Sequence, residues 1–413
     1  MGEDLSDQLL YAIFTPAIQK QYAQFTRKRT TVRPMPGGLV PADLNFLDKD
    51  SNLFYFPAAL YSAGQFTYNQ MANPKPCMVT KRNHDKTFIL GDSGGFQILT
   101  NKLKVTGDND RAVIFNWLET HTNLAMTLDV PTQLANDYKE FGKCLGDTLE
   151  HLRYWRSRYP KGQQTGPFLN VLQGGYPTWI QEWDDFVTSE EFSGWAVAGK
   201  NKKNLYEVMK RLLKLADSDK INKKLFWIHF LGVSDLTTAC YLTAIQKNFA
   251  ALLDDPGFHI SFDASSPFLL AGRYDQAYTG YEVKPSGLRI RSTTLDTRNK
   301  KLIGSDEPFP YANSPIGKLL TMGDLVVKRP TKSEPGLDSL GIAMLQNHNI
   351  YVHMKAVIEA NKLFAANRDK ARNYFPEIML DVRSKIYDIV RAECQFDCLE
   401  KYKKLLTTAS KTS

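Results

Sequence analysis

The 413-residue sequence predicts an α/β fold, a (β/α)8 TIM barrel with a helical C-terminal extension, on three observations. Short apolar segments alternate with segments of helical periodicity, as in parallel βαβ units. Polar or glycine residues follow at least five of the apolar segments, where a barrel carries its functional loops. No G-x-G-x-x-G turn follows a strand, which disfavours the alternative, a doubly wound open sheet.

Six buried strands are predicted from the apolar segments, beginning near residues 87, 124, 168, 195, 226 and 258. An earlier strand is predicted at Leu53–Phe56, and the eighth is expected between Leu288 and Val327. Helices are predicted between strands, for example from Asn204 to Ala216 and from Leu236 to Leu253, because apolar residues recur there at helical spacing.

The C-terminal part is predicted to be helical, from Ile350 to Ala366 and from Pro376 to about Leu406. We expect one domain over residues 1–413, in which residues 341–413 form the helical part. Hydrophobic residues make up 43% and charged residues 23% of the chain, which is typical of a globular protein. No run of 18 apolar residues occurs, so no membrane partner is expected.

Localisation is predicted from the N-terminus and the cysteines. Met1–Asp4 carries acidic residues where a signal peptide needs basic ones, and the five cysteines are odd in number and scattered. We therefore expect a cytoplasmic protein with reduced thiols.

The net charge of +8 is concentrated locally, above all from Lys284 to Lys301. This excess predicts a polyanionic partner such as nucleic acid, and the alternative is a solvated lysine-rich surface.

The segment Gly91–Gln97, Gly-Asp-Ser-Gly-Gly-Phe-Gln, is the most informative motif. It places a carboxylate, a hydroxyl, glycines and an aromatic ring just past a predicted strand. Glycines let a flat ligand approach the backbone, Phe96 offers a stacking face, and Asp92 offers an acceptor. These groups favour a pocket for a purine-like base, and the alternative is a tight turn.

Several motifs in this order resemble the tRNA-guanine transglycosylase family. The matching segments are Asp92–Gln97, Gln173–Gly175, Leu231–Val233 and Phe262–Asp263, and Asn347–Tyr351 resembles a further family segment. The resemblance spans about residues 85 to 275. It implies a (β/α)8 barrel that removes a guanine from a polynucleotide and inserts a 7-deazaguanine at the same sugar.

The resemblance implies roles for individual residues. Asp263 would be the nucleophile that attacks C1′ of the sugar, as in retaining glycosidases, and Asp92 would transfer protons on the bases. Asp129 would accept the guanine N1–H and exocyclic amine, and Gln173 would donate to the base carbonyl. The other residues implied to contact the base are Ser93, Gly94, Phe96, Gly174, Gly199, Leu231 and Gly232.

The nucleic acid is expected to present a flipped or single-stranded nucleotide, because the target base cannot react inside a duplex. Phosphate contacts are expected from Arg273, Lys284, Arg289 and Arg291.

Three of the predicted site residues, Asp263, Asp129 and Gln173, also have structural alternatives. Asp263 could cap a following helix, Asp129 could open a turn, and Gln173 could be an ordinary loop residue.

The sequence departs from the family's tRNA enzymes at their structural zinc site, which uses three closely spaced cysteines and a histidine. His348 matches the histidine, but no cysteine lies between Cys240 and Cys394. No metal and no cofactor is therefore expected. An alternative is a replacement site in which Cys394 and Cys398 join His348 or His353, although such thiols are more often core residues.

The loop after Gly199 also differs from that of the family's tRNA enzymes. It reads Lys200–Lys203 where bacterial tRNA enzymes carry a glutamate that responds to an aminomethyl group on the base. A neutral 7-substituent such as a nitrile is therefore expected. These departures resemble the zinc-free branch of the family that modifies DNA in phages and bacterial DNA-modification clusters.

Our leading hypothesis from the sequence is a 7-deazaguanine DNA transglycosylase that inserts a 7-cyano-7-deazaguanine-like base in a bacterial or phage-infected cytoplasm. Its partners would be DNA, the free 7-deazaguanine base and, as an open question, a protein that opens the DNA. The alternatives are a zinc-free tRNA transglycosylase and a non-catalytic nucleic-acid-binding subunit, which the retention of Asp92 and Asp263 disfavours. A glycoside hydrolase also needs two carboxylates, but the guanine-like set of Asp129, Gln173 and Phe96 disfavours it.

Overall fold

Eight parallel strands form a central barrel-like sheet, and helices surround it. The computed structural model describes residues 2–159, 166–173, 176–327 and 336–411. The strands are β1 (Glu3–Asp4), β2 (Ile13–Pro16), β3 (Phe54–Tyr55), β4 (Ala58–Ser62), β5 (Phe88–Asp92), β6 (Leu124–Met126), β7 (Phe168–Leu172), β8 (Gly194–Val197), β9 (Trp227–Phe230), β10 (His259–Ala264), β11 (Gln276–Lys284) and β12 (Gly287–Thr294). The helices are α1 (Lys20–Phe25), α2 (Tyr68–Ala72), α3 (Gly95–Leu99), α4 (Asp108–His121), α5 (Tyr138–Arg158), α6 (Pro177–Val187), α7 (Leu205–Asp217), α8 (Leu236–Leu252), α9 (Ser266–Tyr274), α10 (Met322–Leu325), α11 (Ser339–Phe364), α12 (Arg368–Ala371), α13 (Glu377–Arg391) and α14 (Gln395–Lys411).

The barrel strands neighbour one another in the order β2, β10, β9, β8, β7, β6, β5, β4. Ala17 and Ile18 follow β2 and join the two ends of this sheet. Ala17 forms a parallel bridge with Leu60 of β4, and the Ile18 N–H donates to the Leu60 carbonyl at 2.9 Å. The strands are buried along most of their length, as expected for a parallel sheet covered on both faces. The predicted (β/α)8 fold is confirmed.

The strand prediction is confirmed for β5 to β10 and wrong for the other two. Residues Phe54–Tyr55 form β3, which pairs with β1, and the barrel strand is β4. The remaining barrel strand is the N-terminal β2, where Phe14 pairs with Phe262 of β10. This strand is short and contains Thr15 and Pro16, so it lacks a continuous apolar run. The segment 288–327 instead contributes most of β12, which pairs antiparallel with β11 in a hairpin.

The C-terminal helices are confirmed, with different bounds. The helix predicted from Ile350 begins eleven residues earlier, at Ser339, where Asp338 accepts a hydrogen bond from the Gly341 N–H and caps α11. The segment predicted from Pro376 is divided into α13 and α14. α11 packs against α8, α9 and β11, and α14 packs against α7 and α13. None of the helices in the described ranges is long and apolar enough to cross a membrane.

The close approach of β8 and β9 gives a test of the barrel geometry. A Cβ added to Gly194 would lie 2.0 Å from the carbonyl oxygen of Trp227 in β9. Because the obstacle is backbone, Gly194→Ala should lower the free energy of unfolding by at least about 3 kcal/mol. The matched control is Gly142→Ala in α5, where an added Cβ meets no atom within 4 Å. The free energy of unfolding of this control should rise by up to about 1 kcal/mol. Urea unfolding measures both, and equal stability of the two variants would contradict the strand packing.

Candidate active site

A cavity of about 660 Å³ opens at the C-terminal ends of the barrel strands. Asp92 is the last residue of β5, Gln173 directly follows β7, and Asp263 is the penultimate residue of β10. Since the strands are parallel, these positions converge on one face. Most of the predicted site residues line this cavity, namely Asp92, Phe96, Asp129, Gln173, Gly199, Leu231, Gly232, Asp263 and Arg273.

Ser93 and Gly94 support the cavity wall and do not line it. The Ser93 hydroxyl donates to the Thr127 carbonyl at 3.1 Å, which ties the loop after β5 to the end of β6. Gly94 has a positive φ of 104°, and its N–H donates to Asp92 Oδ1 at 3.1 Å. Direct contact of these two residues with a base stays a prediction. Gly174 lies outside the described residues.

Of the predicted phosphate ligands, the structure brings Arg273 to the cavity and leaves the other three apart. Lys284 ends β11, and Arg289 and Arg291 lie on β12, so all three belong to the hairpin outside the barrel. None of them lines the cavity, and Lys284 forms an ion pair with Glu282 at 3.0 Å.

Asp263 is held by one of its two oxygens. Its Oδ1 accepts the Gly232 N–H at 2.6 Å and lies 3.3 Å from His229 Nε2. Within the described residues no hydrogen bond reaches Oδ2, which leaves that oxygen available to a ligand in the cavity. The alternative role as a helix cap is wrong, because α9 begins at Ser266 with Ser265 as its N-cap.

His229 is a site residue that the sequence analysis missed. It is fully buried in β9, and its Nδ1 lies 2.8 Å from the hydroxyl of Ser261, its register partner in β10. An ionised Asp263 only accepts hydrogen bonds, so the ring proton belongs on Nε2 and Nδ1 accepts from Ser261. The sequence did hold a signal for this contact. Ser261 and Asp263 are two residues apart, so both side chains lie on one face of β10, where a polar residue of the neighbouring strand can contact both.

Asp129 and Gln173 form a buried pair. Gln173 Nε2 donates to Asp129 Oδ2 at 2.6 Å, so neither residue is a simple loop or turn residue. Burial raises the pKa of Asp129 to about 7, with a further increase from the charge of Asp92, while the Gln173 hydrogen bond opposes the rise. Among the described residues, no donor reaches Gln173 Oε1, which is buried. A bound molecule with N–H groups would supply that donor.

The pKa of Asp92 is also raised, first by burial and also by the charge of Asp263. Hydrogen bonds from Ser62 and from the Gly94 N–H act in the opposite direction. A carboxyl whose pKa moves towards neutrality can both give and take a proton. The environment of Asp92 therefore suits a group that transfers protons.

Lys202 is a second residue that the sequence analysis missed. It lines the cavity, and its Nζ would lie 3.0 Å from a Cβ added to Gly232. Burial lowers the pKa of Lys202, and the charge of Asp263 opposes this effect. Its neighbour Lys203 instead pairs with Asp235 at 2.8 Å. The charge run after Gly199 signalled a cation here, but the choice between these lysines depends on the conformation of the loop.

His348 does not have a free ring nitrogen for a metal. Its Nδ1 lies 2.7 Å from the Ser314 hydroxyl, its Nε2 lies 2.8 Å from the Tyr278 carbonyl, and burial lowers its pKa to about 4. In the described part of the chain, no three His, Cys, Asp or Glu side chains are grouped so as to hold a metal ion. The alternative metal site, in which Cys394 and Cys398 join His348 or His353, is therefore wrong.

Comparison with known proteins adds no assignment. The sequence matches no family model, and it matches no curated protein. The functional interpretation therefore depends on the motifs and on the geometry of the cavity.

The raised pKa of Asp129 predicts a pH-dependent cost in stability. As pH rises from about 4 to 7, an unfolded aspartate ionises while the folded Asp129 keeps its proton, so the protein loses stability over this range. Asp129→Asn removes this penalty. At pH 8 it should raise the free energy of unfolding by about 2 to 4 kcal/mol, and at pH 4.5 by much less.

Thermal or urea unfolding at the two pH values measures this difference. Asp306→Asn is the matched control, because Asp306 is exposed to solvent. A stability gain of Asp129→Asn that is the same at pH 4.5 and pH 8 would contradict a raised pKa.

Proposed function

We propose that the protein is a transglycosylase that replaces guanine in a polynucleotide, specifically DNA, with a 7-deazaguanine base. One observation carries the proposal. A carboxylate fixed through a single oxygen, Asp263, faces the same cavity as the Asp129–Gln173 pair and the proton-transfer candidate Asp92. Separate groups in one cavity would thus serve as nucleophile, recognise the base and transfer protons.

Recognition of guanine is supported by the buried pair. An ionised Asp129 can accept N1–H and the exocyclic amine side by side. Gln173 can then turn its amide donor from Asp129 to the base carbonyl. The Phe96 ring is 64% exposed and lines the cavity, so its face is available for stacking, and Leu231 lines the cavity as well.

The reaction would proceed in two displacements. Oδ2 of Asp263 attacks C1′, the C1′–N9 bond breaks, and the electron pair leaves on N9 of guanine, which takes a proton from Asp92. In the second step, Asp92 takes the N9 proton of the entering 7-deazaguanine. N9 then attacks C1′ and expels Asp263 as a carboxylate. Atoms and electrons balance without a metal or a redox cofactor.

The holding contacts on Oδ1 support the first step. The Gly232 N–H and the His229 ring fix the carboxylate plane, so Oδ2 does not need to be ordered during the reaction. The partly buried ammonium of Lys202 lines the same cavity and offsets the negative charge of Asp263. It also favours a hydrogen-bond acceptor over a second cation on the base, which suits a nitrile better than an aminomethyl group.

Covalent trapping tests the proposed reaction. The wild-type protein incubated with guanine-containing single-stranded DNA and no free base should give a denaturation-resistant adduct. Asp263→Asn should abolish the adduct because a neutral amide is a far poorer nucleophile than a carboxylate, and Asp306→Asn, an exposed control, should keep it. Denaturing gel electrophoresis and intact mass measurement detect the adduct.

The same assay with tRNA separates the alternatives. An adduct on tRNA and none on DNA would retain the mechanism and refute the DNA substrate. Binding of both nucleic acids with no adduct on either would refute the proposed chemistry and favour a non-catalytic binding subunit.

The role of Lys202 predicts a preference between entering bases. Wild-type protein should incorporate 7-cyano-7-deazaguanine over the 7-aminomethyl analogue by about tenfold or more, since juxtaposed like charges weaken binding. Lys202→Met removes the charge and should reduce this preference, whereas Lys203→Met should preserve it because Lys203 pairs with Asp235. Incorporation of each base into DNA measures the ratio. An unchanged ratio in Lys202→Met would rule out this role.

A further inference from the structure

A second large concavity, which we call the groove, adjoins the catalytic cavity. It encloses about 840 Å³ and lies between α1, α9, α11 and the segment from α3 to Lys102. Gln97, Lys102 and Arg273 line both the groove and the cavity, so the two spaces are continuous. A molecule that lies in the groove can therefore extend into the site of Asp263.

The groove is more uniformly cationic than the catalytic cavity. Four cations line the groove, and its described lining contains no carboxylate. These cations are Lys20, Lys28, Lys102 and Arg273. No ion pair within the described residues neutralises any of them, and all but Lys20 are exposed. The lining of the catalytic cavity, in contrast, combines three aspartates with three cations, Lys102, Lys202 and Arg273.

The remaining polar lining of the groove consists largely of amides. Six glutamines contribute to it, namely Gln19, Gln21, Gln24, Gln65, Gln97 and Gln346. An amide side chain both donates and accepts hydrogen bonds, so it can contact any base or sugar without selecting one sequence. Cations that track a backbone, together with groups that tolerate any base, are the features of single-strand nucleic-acid sites.

The groove lies on the appropriate side of the barrel. Its helices α1 and α9 follow the neighbouring strands β2 and β10, and β10 carries Asp263. Asp129 and Gln173 follow β6 and β7, which lie on the other side of the barrel. A nucleotide whose base reaches Asp129 and Gln173 would thus have its sugar at Asp263 and its phosphates towards the groove.

We infer that the groove binds the phosphodiester backbone of one polynucleotide strand next to the reacting nucleotide. This inference rests on the proposed function for the nature of the reacting base, and on the charges of the groove for the strand itself. It reassigns the phosphate contacts predicted on the hairpin. Among the predicted set, Arg273 remains, while Lys28 and Lys102 replace Lys284, Arg289 and Arg291.

Affinity for a labelled single-stranded DNA oligonucleotide, measured against salt concentration, tests the groove. The groove variant combines Lys28→Gln, Lys102→Gln and Arg273→Gln. Three lost phosphate contacts should reduce the slope of log affinity against log salt by about 2, and the affinity by about tenfold or more. The groove variant should fold normally, because all three side chains are exposed.

Two variants with the same change in net charge are the controls. One combines Lys86→Gln, Lys223→Gln and Lys224→Gln, all exposed and just before β5 and β9, at the opposite end of the barrel. The other combines Lys284→Gln, Arg289→Gln and Arg291→Gln in the hairpin. Both should keep the salt slope of the wild-type protein.

Each outcome decides the question. A reduced slope in the groove variant alone supports the inference. An equal loss in all three variants would mean nonspecific attraction by net charge, and a loss confined to the hairpin variant would place the strand there; either result overturns the inference. Binding through the groove with no covalent adduct would refute the proposed reaction and leave the groove assignment in place.

Discussion

Partial removal from water of three carboxylates that share one cavity is the constraint on which the rest of the site depends. Parallel strands that end on one face bring Asp92, Asp129 and Asp263 together. Each carboxylate is stabilised differently. Asp263 has two donors on one oxygen and Lys202 nearby, whereas Asp129 has a single amide donor from Gln173. Burial and repulsion shift the pKa values of Asp92 and Asp129 upwards, and these different environments can give three acids three roles.

The surrounding backbone is fitted closely to this arrangement. A Cβ on Gly95 would lie 2.9 Å from Asp129 Oδ1, and Gly232 uses a positive φ of 65° to turn its N–H towards Asp263. Gly95 begins α3 shortly after β5, and Gly232 lies in the loop after β9, so the rigid barrel fixes both positions. The loop residues therefore contribute backbone donors and space, which larger residues in these places would remove.

The sequence predicts the features that depend on local pattern. β5 to β10 are largely apolar, and most of the predicted site residues at or just after their ends line the cavity. Features that depend on three-dimensional proximity were missed. β2 contains Thr15 and Pro16 and is recognisable as a barrel strand only through its pairing with β10. His229 is hidden inside an apolar run, and the groove brings together Lys28 and Lys102 from distant parts of the chain.

The difference in charge between cavity and groove would give the bases and the backbone of the proposed polynucleotide different environments. In the proposed complex the groove would attract the phosphates, because its described lining has cations and no carboxylate, while a neutral base carries no charge that would exclude it from the aspartates of the cavity. The electrostatic field of the groove would thus orient a strand before any specific hydrogen bond forms, with its backbone in the groove and one base in the cavity. Lys102 and Arg273, which line both spaces, lie at this boundary. Such a site would admit a base only after the base has left its stack, so the proposed substrate is a flipped or single-stranded nucleotide.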